Sequence, residues 1–505
     1  MANYLHWDTA PLLRIGKKDK WLLKDAYEGT HIYGATGAGK SSGSGQAIAI
    51  AMLNAGLGGL VLAAKPDEFG RWLSYAKACG REKSIIRFCP EAGSGFNFLE
   101  YEMTFGEGGV KNVVSLLETV LKFTETSNLG NNEKEKFWDL SIRELLRNTI
   151  SALFHAYGRI DLDEIMQMVQ SGPTAPKQWG QQSWRNDSFC FQTLEKMAGK
   201  PVHPVDHREG RVITDYWRYT FAQADPKTRE NIRISFTSRI GQLFSGEEYK
   251  LMCTHTNVVP EMSFDPGAII VIDMPTQIWH ETGILVQKIF KYMWQRAAQR
   301  RQIHKKSRPA FLFADEAHVL ATAEDATFQS MARSSRICTV YLSQGIDGYL
   351  HQIGGSNPQA AVDALMGHFQ TKIFHANSSS NTNEWASKLI GRSIQTRHST
   401  TSGENTGYSK SRSHGRTLSP HEYEFGLMGP GQRNRGKDSG ASSGTSYSES
   451  TNEVLELEIE PGDFARGMAT GGPDWKFKVD GILMKTSARF GPKKKNWVKL
   501  QFSQR

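Results

Sequence analysis

The stretch "HIYGATGAGKSSG", residues 31–43, sets an apolar run against a glycine-rich turn that ends in lysine and serine. Gly34-Ala35-Thr36-Gly37-Ala38-Gly39-Lys40-Ser41 has the spacing of a loop whose backbone N–H groups cradle phosphate oxygens, with glycine where a Cβ would stand between backbone and phosphate. In such a loop Lys40 reaches the β and γ oxygens and Ser41 ligates Mg²⁺. Ser42 follows in the first turn of a helix whose positive end faces the anion. The expected nucleotide-binding residues are therefore Gly34, Ala35, Thr36, Gly37, Ala38, Gly39, Lys40, Ser41 and Ser42, and the expected ligands are ATP and Mg²⁺. Gly43 and Gly45 each cost a helix about 1 kcal/mol relative to Ala, so their presence predicts a closely packed helix face.

Outward from the loop, "HIYGA", "GLVLAA" and "IIRF" alternate with helical stretches up to about residue 105, a pattern that builds a parallel sheet with right-handed crossovers. From 108 to 262 strand signals vanish. In "EKFWDLSIRELLRNTISALFHAYG", Phe137, Leu140 or Ser141, Leu145, Thr149 and Leu153 recur at helical spacing. Apolar strands return at 268–273, 310–314, 337–342 and 370–374, with a helix around 277–301 between the first two. That helix sets Leu285, Ile289, Phe290, Met293 and Ala297 on one buried stripe. Its basic end, Arg296, Arg300, Arg301, Lys305 and Lys306, suits either a helix C-terminus or contact with nucleic acid.

The expected organisation is a nucleotide-binding core from 1–107 and 263–395, interrupted by an all-α domain at 108–262. A Ser/Thr/Gly/Asn-rich segment at 396–452 cannot bury a core and is expected to be a mobile segment or a long extension. Residues 453–505 then supply strands returning to the core and a basic tail.

"AFLFADEAH" places Asp315 and Glu316 directly after a strand. A phosphate loop needs such a carboxylate on a neighbouring strand: Asp315 is expected on the metal side and Glu316 against the attacking water, which implies NTP hydrolysis rather than binding alone. "ICTVYLSQG" ends in Gln344, positioned to sense the γ-phosphate between the two catalytic strands. Before it, in "MARSSRI", either Arg333 or Arg336 would reach a nucleotide in an adjacent subunit as an arginine finger.

At 505 residues the chain is long enough for two or three domains. Its composition, 39% hydrophobic and 22% charged, describes a folded protein rather than a disordered one. A net charge of +9 raises the prospect of a polyanionic partner such as DNA. Five scattered cysteines with no CxxC pair argue against a disulfide framework or zinc site and suit a reducing cytoplasm. The chain opens on no signal peptide, and the apolar run 45–65 reads better as helix, turn and strand than as a membrane span. His203, Asp206 and His207 read as loop residues.

Asp315 follows Lys40 by 275 positions, a surplus that the helical insertion accounts for. With this architecture the chain resembles the type IV coupling proteins, the TraG/TraD ATPases of conjugation and type IV secretion. The resemblance rests on "GATGAGKSSG", "GLVLAAKPDEFGRW", "FCPEAGSGFNFLEYE", "FADEAHVL", "MARSSRICTVYLSQG", "QTKIFHANSSSNTNEWASKLIGR" and "IEPGDFARG", in that order, over about residues 31–470. It implies a RecA-like P-loop NTPase core of the α/β class, with a central, mostly parallel sheet and an inserted all-α domain. It also implies a hexameric ring and ATP hydrolysis that moves relaxase-bound single-stranded DNA, or effector proteins, toward a secretion channel. The implied partners are the relaxase or relaxosome and the inner-membrane components of the secretion system. Carried over by motif, Lys40, Ser41, Asp315, Glu316, Gln344 and Arg333 or Arg336 form the ATPase site.

Two features depart from the family pattern. Only 33 residues precede Gly34, where most members have a transmembrane region, and Asn97-Phe98-Leu99 lacks the family's proline. The expectation is therefore a cytoplasmic protein, or one peripheral at the inner membrane, that touches the membrane only through partners. Two alternatives stay open: a cytoplasmic double-stranded DNA motor of the FtsK/HerA type, and a nucleotide-switched receptor recruiting protein substrates.

Overall fold

Strands covered on both faces need continuous apolar runs, and the core of this chain is built from such runs. The computed structural model describes residues 7–16, 19–106, 108–123, 133–243, 246–353, 357–404 and 445–504. Contacts divide the chain into two units, Met1–Asn377 with Ala469–Arg505, and Ser378–Met468.

In the first unit, β1 (Pro11–Ile15) and β2 (Asp19–Leu22) form a small antiparallel pair. They lead into β3 (Thr30–Tyr33), β4 (Gly58–Leu62), β5 (Ile85–Phe88), β6 (Ile269–Ile272), β7 (Ala310–Ala314), β8 (Ile337–Ser343) and β9 (Thr371–Phe374). The second unit contributes β10 (Arg392–Glu404) and β11 (Thr445–Leu457), after which the chain returns as β12 (Lys478–Lys485) and β13 (Trp497–Ser503). The central sheet has nine strands in the order β13-β12-β9-β3-β8-β7-β4-β6-β5. It is parallel except at one edge, where β12 runs antiparallel to both β9 and β13.

Every residue of β3, β4, β6, β7, β8 and β9 is buried. One face of the sheet presents Ile32, Val61, Val271, Phe313, Val340 and Leu483 to a core shared with Ile48, Met52, Leu53 and Trp72 from helices Gln46–Asn54 and Glu68–Ala78. Against the sheet's β5 end packs helix Thr276–Arg300, whose Phe290 ring lies 5.0 Å from that of Phe88. Each such large side chain stabilises the fold by about 1.5–3 kcal/mol relative to an exposed position.

The fold is thus α/β and RecA-like, with a mostly parallel sheet, and the described residues between Val110 and Thr254 form helices and no strands. Val110–Lys122, Leu162–Gln170 and Phe189–Gly199 pack on the long helix Glu133–Tyr157. The contact division keeps these helices in the first unit with the sheet. Leu145, Thr149 and Leu153 are buried as the helical spacing predicts, whereas Leu140 is 63% exposed and Ile142 takes its place inside. The Phe137 side chain lies outside the described residues.

The structure corrects one expectation and narrows two others. The phosphate-loop strand and the acidic strand are not neighbours, because β8 lies between β3 and β7. Of the basic end of helix Thr276–Arg300, Arg296 and Arg300 donate to the two carboxylate oxygens of fully buried Glu102, at 2.7 and 2.9 Å, and Arg301 stacks on Phe264, while Lys305 and Lys306 are exposed. The flanks of the 396–452 segment are paired rather than loose. In the second unit, after helix Ser380–Ile390, β10 and β11 form an antiparallel ladder from Arg392 opposite Leu457 to Glu404 opposite Thr445. Backbone hydrogen bonds hold this ladder and do not depend on apolar side chains. Residues 405–444 lie outside the described residues.

Candidate active site

The loop leaving β3 is tied down at both sides. The Gly34 N–H donates to Ser343 O at 3.2 Å, at the end of β8, and Ala35 N–H donates to Ala376 O at 2.9 Å, beyond β9. Gly39 turns through φ +80°, and a Cβ there would stand 2.6 Å from Val479 of β12, so only glycine fits both the conformation and the space. A wide π-type turn, Ser41–Gly45, then opens helix Gln46–Asn54. The close packing expected at Gly43 and Gly45 is present: added Cβ atoms would lie 3.1 Å from Val479 and 2.9 Å from Lys40 O respectively.

Side chains from three strand ends meet in front of this loop. Lys40 Nζ lies 3.4 Å from Glu316 Oε1, and Ser41 Oγ donates to Asp315 Oδ2 at 2.7 Å. Lys65, just past β4, brings its ammonium to 3.2 Å from Asp315 Oδ2 and 3.1 Å from Glu316 Oε1. β4 and β7 pair in register, Leu62 opposite Ala314, so the residues following each strand are delivered side by side. Glu316 itself sits at φ +48°, in the left-handed region. Ser41, Lys65 and Glu316 line a cleft of about 890 Å³ together with Thr36, Lys40 and Gln344.

Burial opposes the charge on Asp315, but Lys65, the Ser41 hydroxyl and Lys40 together hold its carboxyl below the usual carboxylate value. Burial likewise opposes the Lys65 charge, and the two carboxylates more than offset it, so its ammonium is held above the ordinary lysine value. Glu68 accepts from the Lys65 N–H at 3.2 Å and is almost fully buried. Burial first, then the nearby Asp315 charge, pushes its carboxyl well up.

The donor set suits a hard divalent cation: a hydroxyl and a carboxylate converge, both oxygen ligands. A buried acceptor remains spare beside them, since Glu316 Oε2 has no hydrogen-bond partner among the described residues. Mg²⁺ would be held by Ser41 and Asp315.

Gln344 borders the cleft, and its carbonyl accepts from Asn377 Nδ2 at 2.8 Å, which fixes the turn after β8. Arg333 and Arg336 are not brought to this loop. Both precede β8, whose seven residues put them roughly 20 Å from its Ser343 end. The Arg333 side chain is 75% exposed and 3.5 Å from Glu28, while the Arg336 guanidinium donates to the carbonyls of His304, Lys305 and Ser307. Asp206, within the His203–His207 loop, caps helix His207–Asp215.

The sequence reading left Lys65 and Glu68 out of the site, although "AAKPDE" follows an apolar strand as "FADEAH" does. It also missed the contacts behind the loop. The Ser44 hydroxyl donates to His375 Nε2 at 2.6 Å, and His375 Nδ1–H donates to Asp480 O at 2.7 Å.

Residues 309–428 match the family model described as the TraM recognition site of TraD and TraG. No curated protein matches the chain in sequence. Among solved structures, the fold is similar to the bacterial conjugative coupling protein TrwBΔN70, at 15% identity and a TM-score of 0.59, over 97% of this chain and 90% of that one. It is also similar to the plasmid coupling protein TrwB in complex with ADP and Mg²⁺, at 14% identity and a TM-score of 0.55, over 97% and 90% of the two chains. A third match is TrwB in complex with a non-hydrolysable ATP analogue, at 15% identity and 0.55, over 97% and 91%. Among the described residues no helix is long and apolar enough to cross a membrane.

Proposed function

We propose that the chain is a type IV coupling protein, a reading supported by the match at residues 309–428 and the TrwB-like fold, and that it is a ring-forming P-loop ATPase that couples ATP hydrolysis to movement of DNA toward a conjugative or type IV secretion apparatus. The observation that carries this reading is that Lys40, Ser41 and Glu316 line one cleft, with Asp315 held against Ser41, although they come from strands far apart in sequence. TrwB, similar in fold, is described in complexes with ADP and Mg²⁺ and with a non-hydrolysable ATP analogue.

In this reading the loop from Gly34 to Ser42 cradles the phosphates and Lys40 meets the β and γ oxygens. Mg²⁺, when bound, supplies positive charge against the charge developing on the transferred phosphoryl group. Glu316 orients the attacking water through Oε2, which has no hydrogen-bond partner among the described residues and lies 3.8 Å from His318 Nδ1, while Gln344 reads the γ-phosphate. Arg333, exposed, is better placed than Arg336 to reach a neighbouring subunit, because the Arg336 guanidinium is spent on three carbonyls of its own chain. A hexameric ring would supply that neighbour.

The cargo is DNA, single-stranded and linked to a relaxase. The partners are the relaxosome and the inner-membrane components of the secretion system, and the match at residues 309–428 supports a docking role for that region. The protein works on the cytoplasmic side and meets the membrane through those partners.

The test is ATP turnover by the full chain with and without single-stranded DNA, in wild type and Lys40→Ala. Stimulation by DNA that Lys40→Ala abolishes is the expected result. Hydrolysis indifferent to DNA would remove the motor, and stimulation by duplex DNA alone would favour the FtsK/HerA type.

A further inference from the structure

Lys65 occupies a position that the proposed chemistry assigns to something else. Its Nζ rests on Asp315 Oδ2, the same oxygen that accepts from Ser41, and on Glu316 Oε1, the same oxygen that faces Lys40. In this cluster the charges of two lysines and two carboxylates offset one another. A divalent cation on Ser41 and Asp315 would stand directly against the Lys65 ammonium, and like charges at that separation repel strongly in a partly buried site.

The Lys65 backbone is fixed while its side chain has room. Its N–H is tied to Glu68 Oε2 at 3.2 Å and its carbonyl accepts from the Glu68 N–H at 3.3 Å, at the start of helix Glu68–Ala78. The side chain is 31% exposed and borders the cleft. Swinging the ammonium off Asp315 therefore requires no movement of β4.

We propose that Lys65 is a positioning residue that takes the place of the divalent cation in the nucleotide-free chain, clamping Asp315 and Glu316, and yields that place when the metal is loaded. This rests on the nucleotide reading of the cleft. With Lys65 in place, Glu316 Oε1 is shared between two ammonium groups and the carboxylate pair is neutralised. The clamp would hold the carboxylate pair neutralised until the metal is loaded.

The experiment titrates Mn²⁺ into the full-length, nucleotide-free protein and reads free Mn²⁺ by electron paramagnetic resonance. Lys65→Met, which keeps the apolar stem and removes the charge, is expected to bind Mn²⁺ about tenfold more tightly than wild type, and Lys65→Arg to return it to the wild-type value. Unchanged or weaker Mn²⁺ binding in Lys65→Met, with an unaltered melting temperature, would overturn the proposal.

A second measurement needs no variant: the rate of Lys65 acylation in wild type, followed by mass spectrometry, should rise when saturating Mn²⁺ is added. An unchanged rate would contradict the displacement. Failure of wild type to bind an ATP analogue would sink the nucleotide reading on its own, because Mn²⁺ is titrated with no nucleotide present.

Discussion

The side-chain amide of Gln504, just past β13, donates to the hydroxyl of Ser42 in the phosphate loop at 2.7 Å, while its Oε1 accepts from the Gly472 N–H at 2.8 Å. With Val479 packed against Gly39 and Gly43, the returning strands form the back wall of the loop.

Gln504→Ala should therefore weaken nucleotide binding without unfolding the protein. Losing one such hydrogen bond is worth about 0.5–1.5 kcal/mol, which corresponds to roughly a two- to tenfold rise in Kd for a fluorescent ATP analogue. Binding at wild-type strength would show that the loop keeps its shape without this support.

His375 gives the second prediction. It is fully buried between Ser44 and Asp480, and burial pushes its pKa down to about 4. In the unfolded chain a histidine titrates near 6.5, so between these values the unfolded state binds the extra proton. The His375 contribution is complete above about pH 6.5 and is lost as pH falls toward 4, a stability change on the order of 3 kcal/mol. Denaturant unfolding of wild type and His375→Gln across that range checks it: the variant should show the smaller decline on acidification, and parallel declines would exclude His375 as the cause.

Glu102 provides the third. Its carboxylate is fully buried and held by Arg296 and Arg300. Glu102→Ala would leave two cations without their partner, at a cost of about 3–5 kcal/mol, readable as a lowered denaturation midpoint. Arg300→Ala should leave the salt dependence of DNA binding unchanged, since that slope counts phosphate contacts. A reduced slope would return this helix end to the DNA surface.

The central strands were legible because burial on both faces demands unbroken apolar runs: β7 spans the 310–314 segment expected of it, and β3 and β8 are within a few residues of theirs. The positions of the glycine-rich loop and the Asp315–Glu316 pair at strand ends were legible for a related reason, since each motif is contiguous and follows its strand. What could not be read was pairing between distant segments. Nothing local to Lys65 announces that β4 lies beside β7, and nothing local to Arg296 or Arg300 announces Glu102, nearly 200 residues earlier. Polar composition at 396–452 left a mobile segment and a long extension open, and residues at both ends pair through their backbones as an extension would.

The account stands on Glu316 acting as the base in a cleft that binds Mg²⁺ and ATP. The most direct measurement compares Glu316→Gln with wild type for both ATP-analogue affinity and ATP turnover in the same preparation. The prediction is affinity retained and turnover lower by about 10²-fold or more, the scale of a positioned general base. Turnover at the wild-type rate in Glu316→Gln would contradict the account.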